Sequence, residues 1–285
     1  MTEKRHSTYI LTPGPLTTSA EVKSAMQFDK SPNGQEMIDL VKGIREYIVL
    51  LANGGDDYDC VPIQGSATYG IEAAFNSLAD RATSHVLVIE NGYYGIRLGM
   101  VIETMGFRVT RLEGPIFPPV SGSDVADRLR ADPSISHVAL CHCDTGTGIL
   151  NPIGEIADAC RTHGAKLMID AIASFGGTEI DAPALDAEAI IISPNKCLEA
   201  VPGIAFVLAK KANMREGMGR APSSVLDLSA QWAFMEEKGF FRTTPPTHVL
   251  LAMNKAVEIH RAEGGITARK ARYQRYWLRL VEGLR

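Results

Sequence analysis

Short apolar runs alternate with segments of helical periodicity through the middle of the 285-residue chain. Short apolar runs that are bounded by turn residues are typical of buried strands. Seven such runs cover residues 61–63, 85–90, 108–112, 137–141, 166–170, 189–193 and 204–208. Helical patterns between them cover residues 70–78, 94–105, 122–131 and 153–163. This alternation predicts an α/β fold, with a mostly parallel seven-stranded sheet and helices on both faces.

The two ends of the chain have a different pattern. A helical segment over residues 37–51 precedes the sheet, and another over 247–260 follows it. Beyond Glu263-Gly264-Gly265, a second helix begins near Thr267. It carries the basic residues Arg269, Lys270, Arg272, Arg275 and Arg279. A charge run of this kind is typical of a solvated helix face.

These patterns suggest three regions. We expect an N-terminal arm over residues 1–20 and a large domain over 21–246. Residues 247–285 would be a connecting helix and the start of a small C-terminal domain. The pattern stops at Leu284-Arg285 without a cap or turn, so we expect that small domain to be largely missing.

Composition excludes some classes of function. The formal net charge of −4, with no basic stripe, argues against a nucleic-acid surface. Uncharged apolar runs are too short for a membrane span. The segment Cys141-His142-Cys143 resembles a metal cluster, but strand alternation points its cysteines and its histidine to opposite faces. With Cys60, Cys160 and Cys197, these thiols predict buried, reduced cysteines in a cytoplasmic protein without a metal.

Lys196 stands between two apolar runs, directly after Ser193-Pro194-Asn195. A lone lysine on a loop is usually solvated. In a mostly parallel sheet, however, the carboxyl ends of the strands meet at one edge, where ligands bind. Whether Lys196 is a functional residue or a solvated loop lysine therefore depends on the residues at the other strand ends.

Several of those ends carry candidate binding groups. The segment 64–68 (QGSAT) lies at the start of a helix, and it is either a phosphate cradle or an ordinary N-cap. The segment 91–95 (NGYYG) offers a ring that stacks on a planar ligand or packs on a helix. The segment 144–148 (DTGTG) is a hydroxyl-rich loop or a simple turn. Asp170 closes an apolar strand, where a carboxylate is costly to bury unless it meets a cation.

Together these strand ends match the needs of pyridoxal phosphate. They offer a phosphate cradle, an aromatic ring, an acid at one strand end and a lysine at a later strand end. The lysine forms a Schiff base with this cofactor, and the acid keeps its pyridine nitrogen protonated so that the ring accepts electrons. Each element alone is ambiguous. Their order and spacing together favour a pyridoxal phosphate enzyme.

The chain also resembles a known family, the class V aminotransferases of the pyridoxal phosphate-dependent fold type I, over almost its whole length. The shared motifs are LTPGPLTTS (11–19), QGSATYGIEA (64–73), NGYYG (91–95), GILNPI (148–153), DAIASFGG (170–177), SPNKCLEAVPG (193–203), LDLSAQW (226–232) and TPPTH (244–248). Through LTPGPLTTS and LDLSAQW it is most similar to members that act on 2-aminoethylphosphonate and pyruvate.

The resemblance implies a role for each matching residue. Lys196 would hold the cofactor and act in catalysis with Asp170, the partner of the pyridine nitrogen. The implied cofactor-binding residues are Ser66, Ala67, Thr68, Tyr94, Thr145, Asp170, Ile172, Asn195, Lys196 and Thr244. Among these, residues 66–68 would hold the phosphate, Tyr94 would stack on the ring, and Thr145 would lie beside its 3-hydroxyl. Thr244 would reach the phosphate site of a neighbouring subunit, which implies a homodimer with shared active sites.

Some positions depart from the family pattern. Asp144 and Gly146 stand where relatives have glutamate and threonine, Ala67 replaces a glycine, and residues 29–37 are unlike the family's substrate-facing stretch. The family's small domain supplies an arginine for the substrate carboxylate, and the basic helix 269–279 is the local candidate to replace it.

The expected activity is transfer of the amino group of 2-aminoethylphosphonate to pyruvate, giving phosphonoacetaldehyde and L-alanine. Two alternatives within enzymes stay open: an alanine–glyoxylate or serine–pyruvate aminotransferase, and a pyridoxal phosphate lyase that acts on an aminophosphonate. An alternative of another class is a truncated, catalytically impaired relative.

Overall fold

The computed structural model describes residues 9–285, and residues 1–8 of the expected N-terminal arm lie outside the described residues. Its strands are β1 (Tyr58–Gln64), β2 (His85–Glu90), β3 (Arg108–Glu113), β4 (His137–Cys141), β5 (Cys143–Asp144), β6 (Ile149–Leu150), β7 (Lys166–Asp170), β8 (Ala187–Ile192) and β9 (Ile204–Lys210). Seven of them form one sheet in the order β1-β9-β8-β7-β4-β2-β3. The predicted seven-stranded sheet is therefore confirmed, and β5 and β6 form a separate short hairpin.

Strand direction explains where the strand ends meet. The pairs β2–β3, β2–β4, β4–β7 and β7–β8 are parallel, whereas β9 is antiparallel to both β8 and β1. Because two antiparallel pairings restore the original direction, β1 points the same way as the parallel strands. Gln64 of β1, Asp170 of β7 and Ile192 of β8 therefore end at the same edge of the sheet.

The helices are α1 (Ala20–Ser24), α2 (Gln35–Leu51), α3 (Ala67–Leu78), α4 (Tyr93–Thr104), α5 (Gly122–Ala131), α6 (Ile153–His163), α7 (Lys211–Glu216), α8 (Leu228–Lys238), α9 (Thr247–Glu263) and α10 (Gly265–Leu284), with a 3-10 turn at Ala25–Gln27. The bounds of α5 and α6 match the pattern because strong local signals set them. Ser121 forms a capping box with Asp124 at the start of α5, and Gly164 ends α6 in the left-handed conformation.

Both faces of the sheet are covered. Along β2, Leu87 and Ile89 pack in the core that also contains residues of α2, α5, α6 and α9. The alternate residues Val86 and Val88 pack in the second core, with residues of α3, α4 and α8. A strand that is buried on both sides has no polar alternation, which is why the middle strands appear as continuous apolar runs.

The basic helix α10 corrects one expectation. Its charged residues were expected to form a solvated face, but Arg269 is fully buried and Arg272 is only one-quarter exposed. Both arginines form ion pairs with Glu199 and Glu263. Charge spacing along a helix does not reveal that a neighbouring loop and the end of α9 each supply a carboxylate to that face. The first turns of α10 are therefore docked, while Arg275 and Arg279 farther along are exposed.

All five cysteines are free thiols, with Cys60, Cys141 and Cys160 buried and the other two half-buried. Within residues 9–285, no helix combines the length and the apolar character that crossing a membrane requires. The helix α9 begins at Thr247, where we expect the large domain to end, and that domain division stays a prediction.

Candidate active site

A cavity of about 300 Å³ opens at the edge of the sheet where Gln64, Asp170 and Ile192 end. Its wall is formed by Gly14, Pro15, Ser66, Ala67, Thr68, Ile71, Tyr94, Arg97, Leu98, Val101, Asp170, Ile172, Ser193, Asn195 and Lys196. Eight of the ten residues assigned to the site from the sequence thus lie in one wall, and Thr145 and Thr244 are the other two.

Lys196 lies on the connection between β8 and β9, with its side chain in the cavity wall. Its ammonium nitrogen Nζ donates a hydrogen bond of 2.6 Å to the carbonyl oxygen of Gly14. Burial lowers the pKa of Lys196, and the negative charge of Asp170 partly opposes that effect. The lysine is therefore biased towards a neutral amine, which is the form that attacks a carbonyl or accepts a proton.

Asp170 ends β7 and is only 4% exposed. Its Oδ1 accepts a hydrogen bond of 2.9 Å from the backbone N–H of Ile172. Burial raises the pKa of Asp170 to about 7, although that hydrogen bond and the positive charges of Arg97 and Lys196 act in the opposite direction. A carboxylate in this setting is stabilised by any cation that enters the cavity.

The start of α3 provides an anion-binding geometry. Gly65, at φ +118°, turns the chain from β1 into the helix, a backbone conformation that favours glycine. Ser66 is the N-cap, yet its side chain makes no capping hydrogen bond, so its hydroxyl is free to face the cavity. Unpaired N–H groups and the helix dipole at this end favour a phosphate. The hydroxyl of Thr68 accepts a hydrogen bond of 3.2 Å from Arg97.

Tyr94 is held at the start of α4 by Asp144, the last residue of β5. The fully buried Asp144 accepts hydrogen bonds from the backbone N–H groups of Tyr94 at 2.7 Å and Gly146 at 2.8 Å. A Cβ on Gly92 would lie 2.3 Å from Oδ2 of Asp144, so glycine is required for this contact. Asp144, noted in the sequence only as a departure from the family pattern, thus caps the helix that presents Tyr94.

Asn195 supports the loop beside the lysine, because its Oδ1 accepts a hydrogen bond of 2.6 Å from the hydroxyl of Ser193. Thr145 is half-buried in the adjacent loop but lies outside the cavity wall. Thr244 is exposed, and its carbonyl oxygen accepts a hydrogen bond of 2.6 Å from Gln64, two residues before the N-cap Ser66. The cofactor roles of these three residues, like those of the other seven, stay predictions.

Seven of the fifteen wall residues were not assigned from the sequence, and Arg97 and Gly14 are two of these seven. Arg97 lies three residues after Tyr94 on α4, so both fall on one helix face, and this spacing could have identified it. Gly14 is 182 residues from the lysine that it contacts. No local pattern connects such distant positions.

Sequence comparisons place the chain among known proteins. Residues 18–285 match the family described as aminotransferase class V. A 2-aminoethylphosphonate–pyruvate transaminase of Pseudomonas fluorescens is 43% identical over 275 residues, which cover 96% of this chain and 74% of that relative. A protein of Burkholderia lata, 2-aminoethylphosphonate–pyruvate transaminase 2, is 40% identical over 96% of this chain and 73% of its own length.

Solved structures are similar in fold. Pyridoxamine–pyruvate aminotransferase from Mesorhizobium loti superposes with a TM-score of 0.83 at 26% identity, covering 94% of this chain and 69% of that one. Alanine–glyoxylate aminotransferase from Nostoc sp. has a TM-score of 0.87 at 22% identity, over 99% of this chain and 75% of the other. With the match over residues 18–285 and relatives above 40% identity, the chain belongs to the class V aminotransferases.

Proposed function

We propose that this chain transfers the amino group of 2-aminoethylphosphonate to pyruvate and releases phosphonoacetaldehyde and L-alanine. The relatives from Pseudomonas and Burkholderia that carry this activity in their names support the choice of substrates. One structural observation supports the chemistry: Lys196 and Asp170 share a cavity with the N-terminus of α3.

The cofactor is pyridoxal 5′-phosphate, and the residues of the cavity fit it. The buried carboxyl of Asp170, with its raised pKa, matches a protonated ring nitrogen, because such a cation offsets the loss of hydration. The cradle at the start of α3 matches the phosphate. When bound, pyridoxal 5′-phosphate accepts the electron pair left on the substrate carbon as its proton departs.

Besides Asp170 and Lys196, further groups of this chain would hold the cofactor. Ser66 and Thr68 would bind the phosphate with the backbone N–H groups of α3, and Tyr94 would cover one face of the ring. Arg97 already donates to the hydroxyl of Thr68, so its positive charge lies beside the cradle and would balance the phosphate.

Lys196 would serve both as the attachment point and as the base. Once the amino substrate has displaced it, its Nζ would take the proton from the carbon that bears the amino group and deliver it to the former aldehyde carbon of the cofactor, across the shared nitrogen. This task requires a neutral amine, and burial lowers the pKa of Lys196 in that direction. The half-buried position would also limit the access of water to that proton.

We also propose a cytoplasmic homodimer in which Thr244 contributes to the partner's site. Thr244 is exposed, and its carbonyl oxygen is hydrogen-bonded to Gln64 near the start of α3, so a neighbouring copy could reach it. If so, dilution should separate the subunits and release the cofactor together, as measured by sedimentation and by cofactor fluorescence. A monomer that retains cofactor tightly would contradict the shared site.

The activity is tested by following the two half-reactions separately. Enzyme loaded with cofactor should convert 2-aminoethylphosphonate to phosphonoacetaldehyde, and pyruvate should then restore the starting spectrum with release of alanine. The control donors are L-alanine with glyoxylate as acceptor and L-serine with pyruvate, at the same enzyme and cofactor concentrations. We expect kcat/KM for 2-aminoethylphosphonate to exceed that for either control by on the order of 100-fold.

Other outcomes would identify the alternatives. Faster turnover of alanine or serine would make this chain an alanine–glyoxylate or serine–pyruvate aminotransferase. Release of ammonia without formation of alanine would indicate a lyase. Absence of turnover with all donors, despite bound cofactor, would indicate an impaired relative.

A further inference from the structure

We propose that Arg269 and Glu199 are positioning residues that fix the backbone of the lysine loop, defined as residues 193–200, and thereby aim Lys196 at its reaction partners. This inference rests on the proposed function of Lys196. It also gives α10 a role that its charge pattern alone did not suggest.

Arg269 reaches the lysine loop from the first turns of α10. Its side chain is fully buried, and its Nη1 donates a hydrogen bond to the carbonyl oxygen of Cys197, the residue after the lysine. Its Nε donates to Glu263 at 2.6 Å. Its Nη2 has no hydrogen-bond partner among residues 9–285, which is costly for a buried charged group. The hydrogen bonds to Cys197 and Glu263, in addition to helix packing, therefore set the position of this buried guanidinium.

Glu199 closes the turn on the lysine itself. Its backbone N–H donates a hydrogen bond of 2.9 Å to the carbonyl oxygen of Lys196, and its φ of +57° is unusual for a residue with a side chain. Oε1 of Glu199 accepts hydrogen bonds of 2.8 Å from both Arg272 and Tyr273. The strained turn is therefore held from α10, as is typical of backbone strain that surrounding structure maintains.

The same junction includes the segment that follows Asp170. The thiol of Cys197 donates to the carbonyl oxygen of Ala173 at 3.2 Å. A Cβ on Gly177 would lie 2.8 Å from Sγ of Cys197 and 3.4 Å from Tyr273. These close approaches fix the lysine loop against the chain that leaves Asp170. Restraint of Cys197 by Arg269 therefore also sets the position of Lys196 relative to Asp170.

The four charged groups of the junction balance one another. Glu199 and Glu263 face Arg269 and Arg272 at distances between 2.6 and 3.6 Å. Hydrogen bonds from Arg272 and Arg269 lower the pKa of Glu263 to about 2, so it is ionised at neutral pH. Opposite charges at these distances hold one another in place, as a positioning device requires.

The experiment compares Arg269→Gln, Arg269→Lys and the matched control Arg275→Gln, which removes an exposed arginine of the same helix. For each holoenzyme we would measure kcat and KM for the half-reaction with 2-aminoethylphosphonate. The pH midpoint of the cofactor's visible absorbance band and the thermal midpoint would be measured in parallel. The spectral midpoint reports the environment of the Lys196 nitrogen and requires no turnover.

We expect Arg269→Gln to lower kcat by on the order of 10- to 100-fold, with KM changed by less than about threefold and the spectral midpoint shifted. Arg269→Lys should restore part of both effects, because an ammonium can still donate to the carbonyl of Cys197. Arg275→Gln should behave as the wild type. A fall in thermal midpoint with kcat and the spectral midpoint unchanged would overturn the proposal, as would equal effects in Arg275→Gln.

Glu199→Gln keeps the proposal testable if Arg269→Gln does not fold. It retains the shape of the side chain but weakens the bonds from Arg272 and Tyr273, so kcat and the spectral midpoint should change in the same direction. An unchanged midpoint in Glu199→Gln would contradict the positioning role. A wild-type enzyme inactive on 2-aminoethylphosphonate would refute the proposed substrate only, because the spectral comparison does not depend on that substrate.

Discussion

The ammonium of Lys196 and the carbonyl oxygen of Gly14 are joined by a hydrogen bond of 2.6 Å, although 182 residues separate them in sequence. The segment that contains Gly14 lies across the lysine so closely that a Cβ on Gly14 would be 2.3 Å from both the carbonyl oxygen of Asn195 and the Cδ of Lys196. The segment that contains Gly14 therefore forms part of the wall of the cavity around Lys196, and only glycine fits at position 14.

Gly14→Ala should displace this segment or Lys196. We expect the cofactor content of the purified enzyme to fall and kcat to drop by on the order of 10-fold or more, because a small misplacement of a reacting group is costly. The control is Gly43→Ala, since a Cβ there meets no atom within 4 Å. In the middle of α2, it should raise stability by up to about 1 kcal/mol. Full cofactor content and activity in Gly14→Ala would show that the segment moves aside freely.

Lys196 should be the single lysine that borohydride reduction links to pyridoxal phosphate. The lysines at positions 166 and 210 lie at the first residue of β7 and the last residue of β9, at the opposite edge of the sheet. Peptide mapping by mass spectrometry would locate the label. Lys196→Ala should abolish labelling, and Lys210→Ala should leave it unchanged. A label on Lys166, Lys210 or Lys211 would refute the assignment.

Asp170 should make the cofactor-free protein less stable as the pH rises. Burial raises the native pKa of Asp170 to about 7, whereas the unfolded value is about 3.9. Between these values the native state binds more protons than the unfolded chain, so the free energy of unfolding decreases with increasing pH. Asp170→Asn lacks this penalty, and its stability advantage over wild type should grow by about 3 kcal/mol between pH 5 and pH 8.

Urea denaturation of the cofactor-free proteins at the two pH values would measure this difference. The control is Asp127→Asn, an exposed aspartate of α5. Loaded with cofactor, Asp170→Asn should lose most of its turnover, because an amide does not hold the ring nitrogen protonated. An advantage that is equal at pH 5 and pH 8 would mean that Asp170 is ionised in the cofactor-free protein at both pH values.

Arg97→Met should weaken binding of pyridoxal 5′-phosphate by on the order of 10-fold and leave binding of pyridoxal, which has no phosphate, unchanged. The physical reason is the loss of a charge-assisted hydrogen bond beside the cradle. Fluorescence titration of the cofactor-free protein with each ligand would measure both affinities. Arg130→Met, on the surface of α5, is the control. An equal loss for both ligands would mean that Arg97 contacts the ring or shapes the pocket instead of balancing the phosphate.

Much of the fold was predictable because buried strands and covering helices leave strong apolar patterns. All seven strands formed where the pattern placed them, and α5 and α6 matched to the residue because a capping box and a left-handed glycine mark their ends. The apolar pattern does not indicate the direction of a strand. An apolar run is the same in either direction, so the reversal of β9 required the structure.

The site was predictable to the extent that strand ends carry unusual residues. Asp170 and Lys196 stand out because a charge beside a buried apolar run is costly unless it meets an opposite charge. Arg269 could not be recognised, because its burial depends on carboxylates from the lysine loop and from the end of α9. Gly14 likewise needed a contact between distant segments, which one sequence does not display.

The reversal of β9 also affects how the protein folds. The connection that carries Lys196 closes a hairpin in which Ile192 pairs with Phe206, 14 positions later, so the entropy lost on closure is small. The parallel strands need longer crossovers before they can pair, most of which contain a helix, and contacts that are distant in sequence form slowly. We therefore expect the lysine hairpin to form early during folding, and the contact between Gly14 and Lys196, which are 182 residues apart, to form late.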